Sequence, residues 1–179
     1  MRDIQRAGKQ AQYELSDLGL LSGANVGPYP TVLALLNETV RPDCSFFTVT
    51  DSTTDELFFK AYLGLDPTFS DSGRVNRADL FGCGVRDLET PVAMSAAAGQ
   101  PGFRRTPVVD ALGIGAFAAA PVTGPDDQTV GAVWVVCQNA RIWSRSDRSA
   151  LMRCAALCSE LVMYAACKAT LRILSRERA

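Results

Sequence analysis

The stretch "LGIGAFAAAPVTGPDDQTVGAVWVVCQNARIWSRSD", residues 112–147, decides how this chain folds. Ile114 to Val122 reads as a strand, the Gly/Pro/Asp segment "TGPDDQ" as a turn, and Thr129 to Cys137 as the next strand. Both strands are apolar at odd and even positions alike. A strand with one wet face would alternate, so these two need cover on both faces and belong at the centre of a sheet. Ala118, Ala119 and Ala120 stand where bulky residues normally fill a core. Either something packs closely against them or something binds there.

Working outward, the chain after this stretch predicts one long helix, from Ser146 to about Arg176. Ser144 or Ser146 can cap it, and Asp147 suits its positive end. Its middle, "CAALCSELVMYAAC" from Cys154 to Cys167, is apolar nearly all round. A helix with one buried face shows a stripe, so here two faces call for cover. One goes to the sheet. For the other, a second chain is the preferred cover, over a helix at residues 3–21 of the same chain.

Upstream, residues 3–21 are expected to be helical, with Ile4, Tyr13, Leu15, Leu18 and Leu21 as apolar points, until "SGANVGPYP" breaks the helix. Val32, Leu35, Leu36 and Val40 predict a second helix from about Tyr29 to Val40, ended by Arg41-Pro42. "DCSFFTVTD" (43–51) and "LFFKAYLG" (57–64) read as a hairpin. A long connection follows, with a short helix expected near Arg77 to Leu88. Thr90 to Ala97 reads as a short strand, and a brief helix ends at Gly113.

The totals exclude several functions. The 179 residues carry 18 Lys and Arg against 19 Asp and Glu, without the basic footprint of a nucleic-acid binder. The first twenty residues lack a signal-peptide core. The longest apolar stretch is about fourteen residues, interrupted by Ser159 and Glu160, against the ~18 needed to span a bilayer. A cytoplasmic protein with neither nucleic acid nor membrane as partner is expected, with its six cysteines as reduced thiols. The chain has no histidine. That removes Ser-His-Asp and Cys-His catalysis, His-ligated haem and most zinc sites. Cys154 and Cys158, one helical turn apart, read as small core residues rather than metal ligands. No catalytic constellation emerges.

Several short signals in order resemble the GAF domain family: "FFTVTD", "FFKAYLGL", Cys83 within "RADLFGCGV", "TPVAMS", "LGIGAFAAAPV", "TVGAVWVVC" and "ARIWSRSD". Pro121, Gly131, Arg141, Trp143, Ser144 and Asp147 fall on that family's pattern. The resemblance implies an α+β fold similar to PAS domains. A central antiparallel sheet of five to six strands would carry helices on one face, a loop-walled pocket on the other, and a long C-terminal helix. It divides the chain into an N-terminal helix (1–24), a GAF-like domain (25–165) and an extension of the last helix (166–179). It implies a small-molecule-sensing or signalling protein, acting as a homodimer through terminal helices on a partner protein.

The ligand pocket implied by the resemblance takes Phe81, Cys83 and Phe103 from its walls, with Phe117 and Ala119 from the sheet. Two alternatives stand beside it: a degenerate, ligand-free interaction module, and a free methionine sulfoxide reductase. Bilin-binding members attach the chromophore to a cysteine in the segment of Cys83 and commonly follow it with histidine. Here Gly84 follows. Cyclic-nucleotide binders place lysine where this chain has Ala140. The cofactor is left open, with bilin, haem and metal disfavoured.

Overall fold

The computed structural model describes residues 15, 18–51, 54–66, 73–80, 88–97, 106–125 and 127–176. Helix α1 (Tyr29–Val40) opens the fold. It follows Pro28 and stops at Arg41, whose backbone turns left-handed (φ 51°) and returns its N–H to the Asn37 carbonyl at 2.8 Å. Strands β1 (Cys44–Asp51) and β2 (Glu56–Leu63) form the expected hairpin. Then come β3 (Arg74–Asn76), the one-turn helix α2 (Arg77–Leu80), β4 (Val92–Met94) and helix α3 (Pro107–Ala111). Strands β5 (Ala116–Thr123) and β6 (Thr129–Cys137) lead into helix α4 (Arg145–Arg176).

The six strands form one antiparallel sheet in the order β3-β2-β1-β6-β5-β4. The two strands of the opening stretch are interior, as their two-sided hydrophobicity requires. One face carries α1 and α4 over Phe47, Val49, Ala118, Ala120, Val133 and Val135. The opposite face carries Phe46, Phe59, Phe117, Ala119 and Trp134, under Leu80, Leu88 and Leu112 from the connecting segments. The chain is thus a two-sided sheet with a helical layer and a loop-covered layer.

Gly131 holds the sheet centre together. A Cβ there would lie 2.0 Å from the Thr48 carbonyl oxygen of β1, so no side chain fits between the strands. A bulge then changes the faces of β2. Phe47 pairs with Ala61 and Thr48 with Phe59, leaving Lys60 as the extra residue. Lys60 is 5% exposed and donates from Nζ to the carbonyls of Gly19, Ser22 and Gly23 at 2.7, 2.6 and 3.3 Å. Asn25 completes the attachment: its N–H reaches the Lys60 carbonyl at 2.9 Å, and its Oδ1 accepts from the Tyr62 N–H at 2.8 Å.

Three expectations change. Leu18–Leu21 form turns rather than the end of a helix, because Gly19 adopts a positive φ of 67°; most of residues 3–17 lie outside the described residues. The short helix near Arg77 is a single turn ending at Leu80, and 81–87 lie outside the described residues. Finally, Arg145–Ser175 is long and apolar enough to cross a membrane by length and composition, although the uninterrupted apolar run looked too short. Its inner side, at Leu151, Cys154, Cys158, Val162 and Ala166, is buried against the rest of the fold.

The outer side of α4 carries a second seam. Arg153, Leu157, Glu160, Tyr164, Cys167, Leu171 and Leu174 alternate in steps of four and three, and all are exposed. That spacing keeps them on one face of the helix.

Candidate functional site

The loop-covered face of the sheet is paved with aromatic rings. Phe46 meets Phe59 edge-on at 5.2 Å and stacks on Trp134 at 6.0 Å, and Phe117 tilts against Trp134 at 5.9 Å. Trp134 donates its indole N–H to Thr48 Oγ1 at 3.0 Å. Thr48 in turn approaches the Ala132 carbonyl at 3.4 Å, so both polar atoms on this floor are satisfied. Ala119 sits opposite Trp134 in the register and opposite Val92 on its other side.

Phe117 and Ala119 therefore share the face away from the helices, with the ring of Trp134 between β5 and β1. Phe81, Cys83 and Phe103 lie outside the described residues. Ala116, Ala118 and Ala120 point the other way, into the cluster formed with α4. There the facing helix residues include Ala155, Cys158 and Ala166, so small meets small and α4 lies close to β5. Ser159 anchors the approach, accepting from the Thr123 N–H at 2.9 Å.

At the start of α4 the motif residues converge. Ser144 and Asp147 exchange bonds, each side chain accepting from the other's N–H at 3.0 Å. This reciprocal cap satisfies two otherwise orphaned groups. Arg141 lies 3.2 Å from Asp147 and 4.9 Å over the Trp143 ring. Its guanidinium also reaches the carbonyl of Val40 at 2.6 Å, that of Arg41 at 3.3 Å, and Cys137 Sγ at 3.6 Å. Trp143 donates to the Met94 carbonyl at 3.0 Å. One cluster thus joins the end of α1, the ends of β4 and β6, and the start of α4. Burial alone would raise the Asp147 carboxyl, but the hydrogen bonds from Ser144 and the charge of Arg141 outweigh it and hold it below the ordinary range.

Of the described cysteines, Cys44, Cys137, Cys154 and Cys158 are buried. Cys44, on the aromatic face, is buried, and burial together with the nearby Asp43 and Cys137 pushes its thiol up to about 12. The hydrogen bond with Cys154, together with burial, raises the Cys158 thiol. Cys167 is exposed on the outer seam of α4. Among the described residues, no group of three or more Cys, Asp or Glu side chains gathers as a metal site would require.

A concavity on the helical face of the molecule was not anticipated from sequence. A groove of about 510 Å³ runs between α1 and α4, lined by Val32, Leu35, Leu36, Arg153, Cys154 and Leu157 among others. Leu35 at 56% and Leu157 at 44% exposure stand open on its rim.

An antiparallel sheet with helices on one face and connecting segments on the other defines the class of the fold. The sequence profile of the GAF domain matches residues 29–162, and the chain belongs to that family. Solved structures agree in fold. A domain described as part of a two-component sensor histidine kinase from Sinorhizobium meliloti superposes with a TM-score of 0.63 at 12% identity, covering 88% of this chain and 100% of that one. The GAF domain of a phosphoenolpyruvate-protein phosphotransferase from Coxiella burnetii gives 0.61 at 17% identity, with 87% and 96% covered. A type II free methionine-R-sulfoxide reductase from Thermoplasma acidophilum gives 0.55 at 19% identity, with 74% and 86% covered. No curated protein matches the sequence.

Proposed function

We propose that this chain is a cytoplasmic signalling GAF domain that works as a homodimer through its terminal helices. A small molecule would be held over the aromatic face of the sheet, between Phe117 and Ala119 on the floor and the segments of Phe81, Cys83 and Phe103. The observation that carries this reading is the two-sided α4. Its inner side is spent on the sheet, and its outer side is a regular seam left to another molecule. The Arg141 cluster ties that helix to the ends of β4 and β6, which gives a shift of the connecting segments a route to the seam. Ligand would then favour one packing of those segments over another.

The aromatic floor also supports a second reading, that of a ligand-free interaction module, because Phe46, Phe59, Phe117 and Trp134 already pack on one another. A reductase is less well supported. Its nucleophile must be an accessible thiolate. Among the described residues the cysteine on this face is Cys44, which is buried with its thiol raised; the cysteine the reductase reading needs, Cys83, lies outside them.

Native against denaturing mass spectrometry of freshly purified protein, with an absorbance spectrum, separates these readings. A dimer carrying a mass that is lost on denaturation supports the sensor, and Ala119→Trp should then abolish retention of that mass. A bare dimer favours the interaction module. A bare monomer removes the dimer. Turnover of free methionine sulfoxide with a thioredoxin couple would establish the reductase.

A further inference from the structure

We infer that two copies of this chain pair with their α4 helices antiparallel, each Arg153 beside the partner's Glu160. This rests on the dimer reading above and adds the direction of the helices, which that reading leaves open.

The outer seam has two unlike halves. α1 runs alongside the first half in the opposite direction. Its last turn is held at Arg141 by the Val40 carbonyl, and Tyr29 at its other end lies near Cys158. Beside this half lies the groove, with an apolar floor at Val32, Leu36 and Cys154. Beyond Val162 the helix projects past α1 as a ridge. Tyr164, Leu171 and Leu174 stand out there at 67%, 64% and 50% exposure. The molecule thus carries a groove and a ridge in line on the same face.

A two-fold axis near Leu157 lays the first turns of each copy's ridge in the other copy's groove, with Tyr164 opposite the partner's Ala150 on the groove wall. Such an isologous contact makes every pairing twice. It also sets charges in order. Arg153 and Glu160 are the charged residues within the seam, and they stand on either side of Leu157. Antiparallel helices crossing there bring Arg153 within reach of the partner's Glu160 on both sides of the axis. Parallel helices in register would set Arg153 against Arg153 and Glu160 against Glu160, ridge on ridge, with both grooves empty. Like-charge juxtaposition of that kind selects against an arrangement.

Sedimentation equilibrium of the full chain under reducing conditions tests this with wild type, Arg153→Glu, Glu160→Arg and the double swap. Both residues are exposed, and matching thermal melts would establish that the variants fold. The wild type should be a dimer. Each single reversal should raise the dimer Kd about tenfold, since it turns two attractive pairs into two repulsive ones. The swap should return it to within about threefold of wild type. Neutral single variants, or a swap without rescue, overturn the antiparallel arrangement while leaving a dimer. Mild oxidation gives a second reading. Antiparallel helices keep the two Cys167 thiols about 30 Å apart. A Cys167–Cys167 disulfide between copies therefore overturns the inference, and its absence from an oxidised wild-type dimer supports it. A monomeric wild type overturns the dimer reading itself and this inference with it, leaving the groove to a different partner.

Discussion

Ala119 and Ala120 are neighbours that answer to different partners. Ala119 faces the ring of Trp134, whereas Ala120 faces α4. Replacing Ala120 by leucine would force α4 off β5, and overpacking of this kind costs about 1–3 kcal/mol. A thermal melt should show it, with no change expected in the aromatic face. Gly131→Ala should do at least as much damage, because its Cβ would meet the Thr48 carbonyl, which is backbone and has nowhere to go. Asp147→Ala leaves the Ser144 cap in place but removes the return bond from the Ser144 N–H and the Arg141 pair, and should cost about 1 kcal/mol at pH 7. Its pH dependence follows from the carboxyl lying below its ordinary pKa in the folded protein. The stabilisation is complete above the unfolded value and is lost as pH falls through the folded one. Urea melts should show a constant gap between wild type and variant from neutral pH to about pH 5, closing below about pH 4.

The secondary elements with strong local signals are legible in the sequence. Pro28 and Arg41-Pro42 bracket α1, and its predicted limits match Tyr29–Val40. β6 was read as Thr129–Cys137 for its unbroken apolar run between a Gly/Pro/Asp turn and Asn139. Short elements were legible only in part: the short strand expected within Thr90–Ala97 is β4 and the brief helix before Gly113 is α3, but β3 went unseen. β3 is three residues long, too short for any periodicity, and exists because β2 offers it an edge. Lys60 lies within "LFFKAYLG", where nothing in the sequence marks it out from its neighbours. Its role depends on a bulge, which is a property of two paired strands and not of one. The groove depends likewise on how α1 meets α4. Of the expected ligand residues, the sequence placed Phe117 and Ala119 on one strand, but could not say which side of the sheet they would occupy. Lys60→Met tests the bulge directly. The carbonyls of Gly19, Ser22 and Gly23 would lose a buried donor, at a cost of about 1–3 kcal/mol. Amide exchange at Asn25 should speed up more than exchange in β6.

Taken together, the fold holds its stability in the sheet and its two layers, while the far end of α4 adds little. Residues 167–175 are half-buried or exposed. Deleting 167–179 should leave the melting temperature within about 2–4 °C of wild type, since exposed positions away from packed features contribute little. The strand order carries one more implication, for how the chain is made. β1 lies between β2 and β6, so Thr48 waits for Ala132, 84 positions later. On the ribosome, the early hairpin emerges with one long flank unpaired and with Phe46 and Phe47 bare on both sides. It stays so until Thr129–Cys137 follows. Nascent chains stalled before that strand should recruit chaperones and resist compaction, whereas those stalled after Arg176 has emerged should be protease-resistant.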